Sequence, residues 1–162
     1  DIQGLALRVG EVLRSKGVLG RFGVDFVSVP RGDGWEHHAI EINLRKGGTT
    51  HTFQLLQFLT QGRYEAHRAE FMTPAGETRC YYATDNVVNP AYRRLTPEDL
   101  FEIADRRGLR YDPAALCGVT FGLVGALSEC GKLGMLAIDT NLDAARRRFR
   151  SAVAVLDEEA GR

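Results

Sequence analysis

The segment Glu41-Ile-Asn-Leu-Arg-Lys-Gly-Gly-Thr-Thr-His-Thr-Phe-Gln54 contains a carboxylate, an amide, a guanidinium and two glycines within eight positions. Side chains of a β-strand alternate between its two faces, so Glu41, Asn43 and Arg45 are predicted to share one face. The opposite face, predicted to lie in a hydrophobic core, carries Ile40, Ile42 and Leu44. The pattern predicts a strand with polar functional groups on one face and apolar side chains on the other.

A second strand with the same alternation precedes this segment, over Arg21-Phe-Gly-Val-Asp-Phe-Val27, with Asp25 on its less apolar face. The turn-forming residues of Pro30-Arg-Gly-Asp-Gly-Trp35 predict a hairpin connection between the two strands. A hairpin centred on residue 33 places Asp25 opposite Glu41, at the spacing of about 5 Å that is typical of directly opposed residues.

Asp25, Glu41 and Asn43 offer oxygen ligands, which favour a hard cation such as Mg²⁺ or Mn²⁺ over zinc. Two carboxylates at this spacing would repel each other without a cation between them. Mg²⁺ takes few protein ligands and keeps positions for water and phosphate, so the set predicts a phosphorylated ligand. The alternative is a solvated strand face without a metal.

The residues that come after Asn43 are suited to binding a phosphate group. Arg45 presents a planar fork of donors, and Gly47 and Gly48 allow backbone N–H groups to approach an anion closely. Thr49 or Thr50 is predicted to cap a helix that runs from His51 to Gln61. The alternatives are a surface ion pair for Arg45 and an ordinary turn for the two glycines.

Gly23-Val-Asp-Phe-Val27, followed by Glu41-Ile-Asn-Leu-Arg-x-Gly-Gly-Thr-Thr-His51, resembles the end of the ATP-grasp domain in ATP-dependent carboxylate–amine ligases. The resemblance covers about residues 1–62. It implies that Asp25, Glu41 and Asn43 bind the Mg²⁺ ions of ATP and that Arg45 contacts the phosphoryl group in transfer. It also implies that a substrate carboxylate becomes an acyl phosphate, from which an amine displaces phosphate.

The region from about Tyr81 to Leu156 resembles the C-terminal domain of peptide ligases of the pheganomycin-synthesising type. The resemblance is carried by Leu95-Thr-Pro-Glu-Asp-Leu100, Gly118-Val-Thr-Phe-Gly-Leu-Val-Gly-Ala-Leu127 and Gly131-Lys-Leu-Gly-Met-Leu-Ala-Ile138. Together the two resemblances imply an α+β fold in which the end of an ATP-grasp domain, an antiparallel sheet with helices, precedes a small α+β domain. The expected domains are residues 1–76 and 77–162.

The resemblance also implies that particular lysines and a glycine-rich loop preceding the metal-binding hairpin help to hold ATP, and this sequence contains no counterpart of those elements. We therefore expect the parent protein to be a ligase and this chain alone to lack a complete nucleotide site. The C-terminal domain is expected to recognise the acyl or amine substrate, or to mediate dimerisation.

Local patterns predict four further features. A first helix carries Leu5, Val9, Val12 and Leu13 at helical spacing and ends at Gly17 or Gly20. Another helix is predicted to start after Leu95, with Thr96 as its cap and Pro97 as its first residue. Val119, Phe121 and Leu123 begin a buried hairpin that turns around residues 129–132 and returns from Met135 to Ile138.

The last helix is predicted to run from near Asn141 towards Glu159, with Phe149, Val153 and Leu156 on its buried stripe and Ala145 and Ala152 beside them. Its arginines, Arg146, Arg147, Arg148 and Arg150, are interpreted as a solvated face. The alternative is contact with an anionic substrate or partner.

The 162 residues carry 21 Lys and Arg against 21 Asp and Glu, so no overall field favours nucleic acid or an anionic membrane. The longest uncharged run, Pro113 to Ser128, is short for a membrane span. The three cysteines form no CxxC pair, which favours reduced thiols and a cytoplasmic location. The resemblance to carboxylate–amine ligases implies that the partners are small-molecule or peptide carboxylates and amines.

Two other functional classes are compatible with the same residues. In a metal-dependent phosphohydrolase, water accepts the phosphoryl group and ADP release does not depend on an amine. In a non-catalytic module, an ATP-grasp remnant serves oligomerisation and Mg²⁺ alters neither stability nor binding.

Overall fold

A computed structural model describes residues 2–161 of the chain. Within that range the chain forms antiparallel sheets of two or three strands and five α-helices, so the predicted α+β class is confirmed. The chain divides into two compact units, and the division falls between Phe53 and Gln54, inside a helix.

The first unit contains a helix, a hairpin and the beginning of a second helix. Their bounds are α1 Ile2–Ser15, β1 Gly23–Arg31, β2 Gly34–Asn43 and α2 Gly48–Thr60. Helix α1 ends as predicted, because Gly17 adopts a left-handed φ of +78° and its N–H donates to Arg14 O at 3.0 Å. The half-buried positions of α1 include Leu5, Val9 and Leu13, whereas Val12 is exposed.

The apolar face of β2 does not form the predicted core. The exposed fractions are 62% for Ile40, 46% for Ile42 and 55% for Leu44, so that prediction is wrong for this chain. The physical reason is that the strand belongs to a two-stranded sheet, and such a hairpin buries little apolar surface by itself. The half-buried apolar side chains of this hairpin, Val24 and Phe26, come from β1, where they alternate with exposed neighbours.

Helix α2 begins earlier than the sequence predicts. Its first residue is Gly48, and Thr50 already lies within the first turn. The Thr50 hydroxyl accepts a hydrogen bond from Gly47 N at 3.0 Å, so this side chain reaches back to the residue before the helix. Neither threonine therefore occupies the predicted capping position that precedes a helix starting at His51.

The second unit contains the remaining strands and helices. Their bounds are β3 Arg63–Glu65, β4 Glu70–Met72, β5 Cys80–Val88, a 3₁₀ turn Pro90–Arg94, α3 Pro97–Arg106, β6 Gly118–Gly122, α4 Ala126–Cys130, β7 Lys132–Asp139 and α5 Leu142–Ala160. Strands β3 and β4 form a small hairpin, and the main sheet has the order β5-β7-β6.

Strand β7 lies at the centre of the main sheet and is antiparallel to both neighbours. Strands β5 and β6 therefore run parallel to each other, and α3 forms part of the connection between them, as in a split β-α-β unit. Leu133, Met135 and Ala137 of β7 belong to one buried cluster with Leu100 of α3 and Leu156 of α5. The helices thus bury one face of this sheet.

The cap of α3 and the start of α5 confirm the sequence predictions. Thr96 Oγ1 accepts a hydrogen bond from Asp99 N at 3.1 Å, and the Asp99 carboxylate accepts in return from Thr96 N at 2.8 Å. Asn141 Oδ1 accepts from Ala144 N at 2.9 Å at the start of α5. The buried stripe of α5 includes the predicted Ala145, Phe149, Ala152 and Leu156, and Val153 is half-buried.

Strands β6 and β7 pair in antiparallel fashion, as predicted. Their connection is longer than a simple turn, since it contains α4 and ends at Gly131, whose φ is +64°. Leu123 was predicted to continue the strand, but it follows the end of β6, is 54% exposed and has a φ of +54°. The backbone therefore turns away from the sheet at this residue.

Candidate metal and phosphate site

The predicted metal ligands lie together at the open end of the β1–β2 hairpin. Asp25 and Glu41 are direct cross-strand partners, which confirms the predicted pairing. Asn43 Nδ2 donates a hydrogen bond to Asp25 Oδ2 at 3.2 Å, so the amide and the first carboxylate share one face. The structure thus brings together the side chains that the sequence assigns to one cation.

A β-bulge in β2 produces this pairing. The hairpin turns through Gly32 and Asp33, and the register near the turn pairs Phe26 with Ala39. Continued without interruption, that register would place Asp25 opposite Ile40. The bulge adds one residue to β2, so that Glu41 pairs with Asp25 instead.

The donor set is suited to a hard cation. Asp25 and Glu41 are both exposed, and among residues 2–161 the Glu41 carboxylate has no hydrogen bond or ion pair. No group of three or more His, Cys, Asp or Glu side chains comes together in that range. A cation at this hairpin would therefore need the Asn43 amide oxygen beside two carboxylates, with water or phosphate oxygens completing its coordination.

Arg45 lies in the bend between β2 and α2. Because β2 ends at Asn43, strand alternation does not determine the direction of the Arg45 side chain. The residue is exposed and forms no ion pair within the described part of the chain. Its guanidinium is therefore available to an anion.

Gly47 and Gly48 differ in whether their backbone N–H groups are available to bind an anion. The N–H of Gly47 is engaged by Thr50 Oγ1, as described above. Gly48 is the first residue of α2, where helical hydrogen bonding leaves N–H groups without a partner in the helix. A methyl group added at either glycine would meet no atom within 4 Å, so crowding in this structure does not explain the two glycines.

A second polar group lies in the C-terminal unit, and the sequence reasoning did not identify it. Asp139, at the end of β7, accepts hydrogen bonds from Thr140 N at 2.8 Å and from Arg148 Nε at 2.8 Å. Burial raises the pKa of Asp139, but these hydrogen bonds and the charge of Arg148 outweigh it and hold the pKa below its ordinary value. The available signal was an acidic residue at a strand end followed by an arginine-rich helix.

The three cysteines are free thiols in the structure. Burial, followed by the negative charge of Asp139, raises the pKa of the Cys117 thiol. Burial and then Glu70 raise the pKa of Cys80. These two thiols are consequently poor nucleophiles at neutral pH.

Within residues 2–161, no helix combines the length and apolar character needed to cross a membrane.

The chain resembles known proteins both in a family match and in a curated relative. Residues 99–152 match the family described as the PGM1 C-terminal domain. The chain is also 33% identical, over 158 residues, to L-propargylglycine–L-glutamate ligase of Streptantibioticus cattleyicolor, an alignment that covers 96% of this chain and 32% of that protein. The chain therefore spans about a third of the length of this relative. No solved structure matches the chain.

Both matches confirm the resemblance that the motifs indicate. The family match falls in the region predicted to resemble the C-terminal domain of pheganomycin-type ligases, and the relative is named as a ligase of two amino acids. The alignment with that ligase extends over nearly the whole chain and therefore includes the hairpin.

Proposed function

We propose that this chain, the C-terminal part of an ATP-grasp carboxylate–amine ligase of the pheganomycin-synthesising type, carries the metal-binding end of the catalytic site. One observation supports this proposal above the others. The bulged hairpin pairs Asp25 directly with Glu41, and Asn43 hydrogen-bonds to Asp25 on the same face.

Each residue of this group has a distinct part in the proposal. Asp25 and Glu41 hold a divalent cation, Mg²⁺ or alternatively Mn²⁺, and Asn43 supplies an oxygen while its Nδ2 orients Asp25. The cation, when bound, neutralises charge on the phosphate oxygens of ATP. Arg45 donates to the phosphoryl group as it is transferred, and Gly48 and Gly47 lie beside the same anion.

The proposed reaction needs no nucleophilic side chain. The substrate carboxylate attacks the γ-phosphorus of ATP, the bond to the β-phosphate oxygen breaks, and ADP leaves. An amine then attacks the acyl phosphate, and inorganic phosphate leaves as the amide forms. Because both steps join bound reactants, the contribution of the protein is orientation and balancing of charge.

The substrates in this proposal are an amino acid or peptide that supplies the carboxylate and a second small molecule or peptide that supplies the amine. Residues 1–76 belong to the catalytic domain, and residues 77–162 form a C-terminal domain that recognises a substrate or mediates dimerisation. We place the reaction in the cytoplasm, where ATP is available and the three thiols stay reduced.

The test is ADP release by the full-length protein that contains this chain, with ATP, Mg²⁺ and a panel of carboxylates, in the presence and absence of amines. We expect ADP release to require both substrates and to fall by about 100-fold or more in Glu41→Gln, because the variant loses a charged ligand of the cation. Mn²⁺ binding to the 162-residue chain, followed by electron paramagnetic resonance, should weaken in the same variant.

The matched control is Asp33→Asn, which removes one carboxylate from the exposed tip of the same hairpin. It should leave ADP release and Mn²⁺ binding unchanged. Near-normal turnover in Glu41→Gln would refute the metal assignment. ADP release without an amine would favour a phosphohydrolase, and none under any condition would favour a non-catalytic module.

A further inference from the structure

The second unit contains an open cavity of about 400 Å³ at the start of α5. Its walls come from the end of β7, the first turns of α5 and the loop that follows α3. Three of its lining residues are arginines, Arg107, Arg147 and Arg148. Cavities of this size accommodate small ligands such as an amino acid or a short peptide.

An ion pair with Asp139 holds the Arg148 side chain in place. Its Nε donates to Asp139 Oδ2 at 2.8 Å, and only 14% of the Asp139 side chain is exposed. Asp139 is itself fixed by the N–H of Thr140. Among residues 2–161, the two terminal nitrogens of Arg148 make no hydrogen bond, so an oriented pair of donors remains for a ligand.

The balance of charge in the cavity favours a ligand with one negative charge. Arg107 pairs with Glu158 and Glu159, at 2.5 and 3.1 Å, and Arg148 pairs with Asp139. Arg147 is exposed and forms no ion pair with any described residue. One positive charge in the cavity wall is therefore uncompensated, which matches a carboxylate better than a phosphate dianion.

We propose that this cavity binds the free carboxylate of an amino acid or short peptide. Arg148 forms a bidentate contact through its terminal nitrogens, Arg147 supplies the uncompensated charge, and the hydroxyl of Ser151 lies in the same wall. This inference goes beyond the proposed function, because it involves no residue of the hairpin and requires neither ATP nor a metal.

The test is a titration of the isotopically labelled 162-residue chain with N-acetyl-glycyl-glycine, followed by ¹H–¹⁵N NMR. The C-terminal amide of the same peptide is the matched ligand control, since it differs only in lacking the carboxylate. We expect saturable shifts at the N–H signals of Gly108, Leu109 and Thr140 with the acid and none with the amide.

Variants of α5 localise the site. Arg148→Ala and Arg147→Ala should each weaken binding about tenfold or more, the typical effect of losing a charge-assisted hydrogen bond. Arg148→Lys keeps the positive charge but loses the planar fork, so it should also weaken binding and serves if Arg148→Ala does not fold. Arg150→Ala removes the same charge from the same helix outside the cavity, and it should bind like the wild type.

Three results would overturn the proposal. The first is equal affinity for the peptide acid and its amide. The second is wild-type affinity for the peptide acid in both Arg147→Ala and Arg148→Lys. The third is tighter binding of inorganic phosphate than of the peptide, with the same shifted signals, which would identify a phosphate site. All binding is measured without ATP and Mg²⁺, so failure here is independent of the hairpin assignment.

Discussion

Gly118, the first residue of β6, is predicted to tolerate no side chain. Its φ is +141°, a conformation that residues other than glycine rarely adopt. A Cβ atom added there would lie 2.3 Å from Tyr111 Cα and 2.5 Å from Arg110 O. Both contacts are with backbone, so a side-chain rotation cannot relieve them.

The expected cost of Gly118→Ala follows from these two effects. A residue forced into such a backbone region costs about 1–3 kcal/mol, and overpacking against a rigid neighbour costs a further ~1–3 kcal/mol. We therefore expect the free energy of unfolding to fall by at least about 2 kcal/mol. For a chain of this size, that corresponds to a decrease in Tm of roughly 4–8 °C.

The matched control is Gly122→Ala at the other end of the same strand, where an added Cβ would meet no atom within 4 Å. Far-UV circular dichroism during thermal and urea unfolding measures both variants. The single tryptophan, Trp35, lies in the first unit, so its fluorescence reports separately on the part of the chain that neither change touches. Unfolding free energies of the two variants within about 0.5 kcal/mol of each other would refute the reasoning.

Two further predictions concern single hydrogen-bonded groups of the second unit. Thr96→Ala removes the side chain that caps α3, and we expect a loss of about 1 kcal/mol in urea unfolding, whereas Thr96→Ser should retain most of the wild-type stability; equal losses in both would argue against the cap. The second prediction concerns acid. Because the folded pKa of Asp139 lies below its ordinary value, its stabilising contribution is complete above about pH 4 and is lost as pH falls through the folded pKa. Asp139→Asn should therefore be less stable than the wild type at pH 6, and the difference should shrink towards pH 3; a difference that does not change with pH would contradict the assignment.

The features predicted best from the sequence depend on neighbouring residues. The predicted cap at Thr96 and the predicted start of α5 at Asn141 involve groups three positions apart, and the glycine after α1 ends its helix through local backbone geometry. The alternation of β1 likewise places Asp25 on the exposed side and Val24 and Phe26 on the more buried side. Such features depend on residues a few positions apart, so a short stretch of sequence is enough to predict them.

The core prediction for β2 failed because it depended on what packs against that strand. Ile40, Ile42 and Leu44 have the composition of a core face, yet they are exposed on a hairpin of only two strands. Alternation shows which residues share a face, but it does not show whether another layer covers that face. The early start of α2 has a different and local cause, because the Thr50 hydroxyl accepts a hydrogen bond from Gly47 N instead of preceding the helix.

The sequence by itself determined which residues offer the chemistry of the hairpin and the order of the secondary structure elements around them. Only the tertiary structure showed that the predicted pairing of Asp25 with Glu41 depends on a bulge in β2, and that Asp139 orients Arg148 in the wall of a cavity. The physical reason is the range of the interactions. Caps and strand alternation act over a few residues, whereas strand register and the pairing of a strand end with a helix depend on how separate elements pack.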